Sequence, residues 1–287
     1  VLKYFSNLNG YLDRFGGWRG RTRGFTADAR SSDADPSLPA PSVAVRRVLR
    51  IAHRGASGYA PENTLSAFRL ARRLGAGMVE LDVHQTKDRR LVVIHDPSLT
   101  RTTGVRAAVA SRTLAEVADL DAGSWFSPRF ARARVPTLEA VLAALGPRMA
   151  VNVEIKSGRW PYPGLEARLV ALLRRLGWVR RALISSFHLA PLARVRRLHP
   201  TIAIGVLVHP WSLDAALRRA RQLGAVSVPP PTRAMTAALV DRLHAAGLLV
   251  LPYTVDRRAD QARLLRLGVD GFFTNRPSPS APVGPRP

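Results

Sequence analysis

Seven side chains suited to acid–base or metal chemistry stand in or at the ends of short apolar runs of this chain. His53 and Arg54 close VLRIAHR, Glu80 and Asp82 lie in MVELDVH, His95 ends LVVIH, and Glu154 and Lys156 end MAVNVEIK. In a strand, residues i and i+2 point to the same face, so Glu80 with Asp82, and Glu154 with Lys156, each present two charges on one side. An interior packed by branched apolar residues excludes such groups unless they serve a purpose. Two carboxylates from one strand and a third from another make a site for a hard divalent cation. Arg54 can grip a phosphate bidentately, and Lys156 can hold one as a point charge. His53 and His95 titrate near neutrality and suit general acid and base roles. The combination predicts a metal-assisted attack on a phosphodiester.

Taken singly, each residue has a plainer reading. A Glu-X-Asp strand pair is commonly a solvated alternation. His84, His188, His199, His209 and His244 are expected to pack or cap, and Asp96 before Pro97 to shape a turn. Only the set as a whole demands chemistry.

The elements that must position this set follow from periodicity. Eight apolar runs, VLRIAHR, MVELDVH, MAVNVEIK, ALISSF, IAIGVLV, AVSVPP, LLVLPYTV and GFFTN, alternate with helix-like segments. The cleanest helix is GLEARLVALLRRLG, with Leu165, Leu169, Leu172, Leu173 and Leu176 on one face and Gly177 after its end. Alternating strands and helices imply a parallel sheet. The fold class expected is α/β, a somewhat irregular (β/α)8 TIM barrel, with an open sheet as the alternative. One run, LVVIHD, follows ELDVH after QTKDRR, a turn too short for a parallel crossover. An extra antiparallel hairpin strand is therefore expected after the second strand. A turn centred near Asp88 and Arg89 would set His95 opposite Asp82. The ending RPSPSAPVGPRP is too rich in proline for a helix, so the last helix is expected to be missing or short.

Outside the barrel, residues 1 to about 20 have the apolar spacing of a short amphipathic helix, and the Arg-, Ser-, Asp- and Pro-rich stretch that follows reads as a disordered linker. The expected organisation is an N-terminal segment over 1–45, a catalytic barrel over 46–277 and a proline-rich tail over 278–287.

Composition narrows the function classes. Hydrophobic residues make up 46% and charged residues 22%, ordinary for a globular chain. There are no cysteines, which excludes disulfides, thiolate metal sites and cysteine nucleophiles, and leaves a metal to carboxylates and histidines. All but three of the 44 basic residues are arginine, which with abundant alanine reads as a coding bias behind the net charge of +24. That charge would still steer an anionic substrate. No helix-turn-helix, zinc finger or RNA-binding module is visible, so no specific nucleic-acid partner is expected, and membrane contact is at most peripheral. No run reaches the length of a membrane span and the N-terminus lacks a signal-peptide core, so the expected compartment is the cytoplasm.

One stretch goes further than composition. IAHRGASGYAPENTLSAFRLARRLGAGMVELDVHQTKDRRLVVIHDPSLTRTTG resembles the N-terminal signature of glycerophosphodiester phosphodiesterases, and the likeness continues through VPTLEAVL, VNVEIK, ISSF, LPYTV and GVDGFFTNRP. It spans roughly residues 49 to 277 and keeps HRG, PENT, ELDV, HD and EIK in order. The resemblance implies a TIM barrel that hydrolyses a glycerophosphodiester to glycerol 3-phosphate and an alcohol. It implies one divalent cation, Mg²⁺ or Ca²⁺ with Mn²⁺ as a third candidate, on Glu80, Asp82 and Glu154. It implies His53 and His95 as general acid and base, Arg54 and Lys156 on the phosphate, and Glu62 in support. Either water or the substrate's neighbouring glycerol hydroxyl can be the nucleophile. Asn63 or Thr64 should cap the helix beginning at Leu65. Tyr253 and Phe187 are expected around the leaving alcohol. The chain departs from the family's Trp-Thr-Val-Asn, carrying Tyr253-Thr254-Val255-Asp256 instead; Asp256 is expected near the alcohol too. Many relatives also end with a fuller last helix. Two other readings are a lysophospholipase D-like phosphodiesterase, with Trp125, Phe126, Trp160 and Tyr162 as lipid-facing aromatics, and a non-catalytic polyanion-binding protein.

Overall fold

The computed structural model describes residues 48–156 and 162–278. The helix and linker expected over 1–45, Trp160, and the tail beyond Ser278 lie outside the described residues.

Six strands form a continuous parallel path: β1 (Leu49–Ala52), β2 (Met78–Gln85), β4 (Ala150–Ile155), β5 (Ala182–Ser186), β6 (Ala203–Val206) and β7 (Gly271–Thr274), with β7 beside β1. Two further segments join β6 to β7. Val226 donates its N–H to Ile204, Leu249 to Val226, and Asp270 to Val250, while Phe273 donates to Pro252. Single parallel bridges at Ser227 and Leu249 mark the same two segments. The eight segments thus return to their start, a TIM-like ring. AVSVPP and LLVLPYTV are irregular because Pro229, Pro230, Pro231 and Pro252 carry no N–H for a ladder.

Helices clothe the outside: α1 (Leu65–Arg73), short α2 (Thr100–Thr103) and α3 (Leu114–Ala118), α4 (Leu138–Leu145), α5 (Leu165–Arg175), α6 (Leu189–Leu198), α7 (Leu213–Leu223), α8 (Ala237–Ala245) and α9 (Arg258–Leu267). Thr64 caps α1, its hydroxyl accepting the N–H of Ala67. Asn63 is thereby released for another task described below. No helix follows β7 among the described residues, and none of the described helices is long and apolar enough to cross a membrane.

The period of two divides the barrel wall. Along β2, Val79, Leu81 and Val83 join the layer between sheet and helices, with Phe68 of α1, Leu138 and Leu142 of α4 and Leu169 of α5. The alternate residues point into the ring. Met78, nearest the strand's start, packs with Ile51, Ala150, Leu183, Ala203, Leu249, Leu251 and Phe273 into an apolar floor. Above it come Glu80 beside Asn152, then Asp82 beside Glu154. One face of one strand therefore changes from methionine to carboxylates as it climbs to its C-terminal end, where functional groups collect in barrels of this kind.

Strand β3 (Leu91–Val93) pairs antiparallel with β2, with Val83 opposite Val93 and Gln85 opposite Leu91. Its register corrects one expectation. Ile94 donates to the carbonyl of Asp82, so Ile94 and not His95 stands opposite it. The turn is centred on Asp88, with Thr86 bonded to Arg90 and Arg89 at φ 63°, half a residue earlier than the spacing suggested. His95 leaves the ladder just beyond that pair.

Candidate active site

The loop after β1 supplies the first group. Arg54 (φ 54°) and Gly55 (φ 82°) are consecutive left-handed residues, a conformation that costs a non-glycine residue about 1–2 kcal/mol. The bend turns the Arg54 N–H onto Glu80 Oε2 at 2.9 Å. It also sends the guanidinium across the cavity, with Nη1 3.1 Å from Glu62 Oε1 and Nε 3.6 Å from Asp82 Oδ2. Strain here is offset by contacts that the strained shape alone permits. A Cβ on Gly55 would lie 2.8 Å from the backbone of Ala67 in α1. Gly55→Ala is expected to destabilise the fold by about 2–4 kcal/mol, read as a fall in the urea midpoint at unchanged slope.

Glu80, Asp82 and Glu154 come together: one carboxylate oxygen from each lies within 4.8 Å of the others, and all three residues are buried. Asn63 (φ 57°) donates its side-chain amide to Asp82 Oδ2 at 2.8 Å. Lys156 Nζ bridges Asp82 Oδ1 at 3.0 Å and Glu154 Oε1 at 2.7 Å. The titration behaviour reflects this crowding. Burial and then the charges of Asp82 and Glu154 push Glu80 well above the usual carboxylate range. Burial lifts Glu154 to about 7 against the opposing pull of Lys156. Burial also acts upward on Asp82, but Lys156 and Arg54 outweigh it and hold that carboxyl below its ordinary value. Two of the three carboxylates therefore resist ionisation, because burial outweighs the positive charge beside them. The donor set, all oxygen and short of compensation, fits a hard divalent cation.

Two histidines face this cluster from different elements. His53 Nδ1 is 2.7 Å from Asn275 Oδ1, and its Nε2 is 3.9 Å from Glu80 Oε2. His95 Nδ1 is 2.7 Å from Asp96 Oδ1. Burial lowers the pKa of both rings; Arg54 adds to this at His53, while at His95 Asp82 opposes it. Asp96 is more than the turn residue expected, because its second oxygen accepts from Arg101 Nε at 2.6 Å. Arg101 in turn holds Glu62 by two bonds, of 2.6 and 3.1 Å, so Glu62 clamps both Arg54 and Arg101. His84 packs between the Tyr162 hydroxyl at 2.6 Å and the His95 carbonyl at 3.1 Å. His244 meets Asp270 at 2.9 Å, far along the chain from the set.

Of these groups, His53, Arg54, Glu80, His95, Glu154 and Lys156 line a cavity of about 290 Å³ at the mouth of the ring, with Phe187, Leu207, Pro229, Tyr253 and Phe273 as its apolar side. Phe187 and Tyr253 are thus on its wall. Asp256, expected beside them, is not: its carboxylate turns away to Thr274 and Asn275 and is not part of the lining. Trp125, Phe126 and Tyr162 are also absent from the lining. Phe126 packs edge to face on both Trp125 and Phe130, and Trp125 Nε1 donates to the Ala122 carbonyl. Asn275 was not singled out from sequence. Nothing marks an asparagine in TNRP as a histidine's partner 222 residues away until the ring closes β7 beside β1.

Comparison with known proteins bears on this geometry. Residues 53–278 match the model of the glycerophosphoryl diester phosphodiesterase family. A glycerophosphodiester phosphodiesterase of Caldanaerobacter subterraneus subsp. tengcongensis is 41% identical over 237 residues, covering 80% of this chain and 95% of that one. One from Bacillus subtilis is 39% identical over 249 residues, covering 80% of this chain and 84% of its own. Among solved structures, an Oleispira antarctica phosphodiesterase in complex with the product sn-glycerol-3-phosphate aligns with a TM-score of 0.73 at 33% identity, over 80% of this chain and 93% of that one.

Proposed function

Since this chain belongs to the glycerophosphoryl diester phosphodiesterase family, we propose that it hydrolyses glycerophosphodiesters to glycerol 3-phosphate and an alcohol by paired-histidine acid–base catalysis at the mouth of its barrel. The observation that carries this reading is the meeting of Glu80, Asp82 and Glu154 beside one small cavity that Arg54, Lys156, His53 and His95 help to line. The catalytic unit is assigned to residues 46–277, consistent with the family match over 53–278.

Glu80, Asp82 and Glu154 would hold the divalent cation. When bound, such an ion polarises phosphoryl oxygens and offsets the charge that develops on them. The chain's own groups do the rest. Arg54 lines the cavity and its guanidinium would face a phosphate there, while Lys156 supplies a second charge. Glu62 keeps Arg54 extended for that contact. The two histidines differ in their partners. His53 leans on a neutral amide, which favours an imidazolium less than a carboxylate does, while burial and then Arg54 lower its pKa, so it suits the base. His95 leans on the Asp96 carboxylate, which stabilises its protonated form and suits the acid that protonates the leaving alkoxide. Phe187 and Tyr253 would flank the leaving alcohol.

The small volume of the cavity supports a short alcohol over a lysophospholipid. The test is release of glycerol 3-phosphate from glycerophosphocholine after chelation, with Mg²⁺, Ca²⁺ or Mn²⁺ restored one at a time. Activity that needs the metal is expected. Turnover of lysophosphatidylcholine in preference to glycerophosphocholine would overturn the substrate assignment, and no release with any metal would overturn the reaction.

A further inference from the structure

We propose that Asp256 is a positioning residue for the reaction: acting through Asn275, it sets which ring nitrogen of His53 carries the hydrogen. The inference rests on the reading of His53 as base, and is carried by four hydrogen bonds whose directions are forced. Asp256 Oδ1 faces the Asn275 backbone N–H at 2.7 Å and the Thr274 hydroxyl at 3.0 Å, and Oδ2 faces the Asn275 side-chain nitrogen at 2.7 Å. The Thr274 hydroxyl donates to Asp256 and accepts the N–H of Arg276. A carboxylate only accepts. Asn275 must therefore present its NH₂ to Asp256 and its carbonyl oxygen to His53 Nδ1, 2.7 Å away. An amide oxygen also only accepts, so Nδ1 bears the hydrogen and Nε2 is left with the lone pair.

Nε2 is the nitrogen turned toward the carboxylate cluster, 3.9 Å from Glu80 Oε2. A base needs its lone pair there, and the opposite tautomer would offer a hydrogen instead. The Ser57 hydroxyl shares its one hydrogen between the His53 carbonyl at 2.7 Å and Asn275 Oδ1 at 2.9 Å, and does not itself fix the orientation of the amide. The relay links the end of the seventh segment, the end of β7 and the loop after β1, three places that meet only at the closure of the ring.

Asp256→Asn separates this role from simple packing. The substituted side chain would keep its oxygen toward the backbone N–H of Asn275 and turn its new NH₂ to the Asn275 side chain. The Asn275 amide would then flip and offer His53 an N–H, and the ring hydrogen would move to Nε2. A loss of about 10- to 100-fold in kcat with KM little changed is expected, the usual size of a supporting hydrogen bond to a functional histidine. Adding Asn275→Asp restores an acceptor both to His53 Nδ1 and to the amide introduced at position 256, and most of the lost kcat should return. The ¹⁵N shifts of the His53 ring, measured at about pH 8 where imidazoles are neutral, read the tautomer without reference to activity. They should show Nδ1–H in the wild type and the double variant and Nε2–H in Asp256→Asn. Wild-type Nε2–H would overturn the relay even if no variant folds, as would an active Asp256→Asn protein or a double variant no better than the single. Wild-type Nδ1–H in a protein with no diesterase activity would leave the relay standing and sink the assigned reaction instead.

Discussion

Glu80→Ala is expected to slow release of glycerol 3-phosphate about 10³-fold, the rate equivalent of the several kcal/mol that a cation supplies to phosphoryl transfer. Glu80 reaches the cluster from the middle of β2 and has no cation of its own, whereas Lys156 bridges Asp82 and Glu154. Its contribution to the fold should run the other way. Burial and two neighbouring carboxylates hold its pKa well above normal, so the ionised form is a burden on the metal-free protein. Glu80→Gln preserves the acceptor for the Arg54 N–H and removes the repulsion. It should raise the Tm of the metal-free protein by a few degrees, as about 1 kcal/mol does for a domain of this size. Wild type should gain Tm on adding the cation, and Glu80→Gln should gain little. Undiminished turnover in Glu80→Ala, or equal metal-induced shifts in both proteins, would remove Glu80 from the cation site.

Loss of either histidine should be nearly as costly, and the two losses should differ in kind. His53→Ala and His95→Ala are each expected to lower kcat by about 10²- to 10⁴-fold on glycerophosphocholine, the range for general acid–base groups. A glycerophosphodiester of p-nitrophenol leaves without needing a proton. On that substrate His95→Ala should recover most of its rate, because protonating the alkoxide is the task assigned to His95. His53→Ala should recover nothing, since the nucleophile must still be deprotonated. The reverse pattern would exchange the roles of the two rings. Equal recovery would mean that neither ring is dedicated to the leaving group.

How far such a site can be read from a linear chain is visible in its own residues. The i, i+2 spacing of Glu80 with Asp82 and of Glu154 with Lys156 is a local property of a pleated strand, so their common face was legible without coordinates. So were the alternation of strands and helices, and the return of the LVVIHD run after a turn too short for a crossover. Register was not, because one residue in a turn shifts a whole pairing, and Arg89 at φ 63° made that choice for Ile94 over His95. Asp96 and Asp256 were read by their neighbours in the chain, as a turn residue and a pocket residue. Their hydrogen bonds instead tie them to Arg101 and Asn275.

By itself the sequence determined which residue types share a strand face, which segments alternate, and which family signature they spell. The tertiary structure decided how the charges compensate one another. Pairing β2 with β4 sets Glu154 against Asp82, and closing eight segments into a ring sets Asn275 against His53, with three carboxylates buried beside two cations. Hydrogen-bond direction and pKa depend on burial and on distances of a few ångströms between residues far apart in the chain. No local pattern encodes those quantities, and they appear only once the last strand lies beside the first.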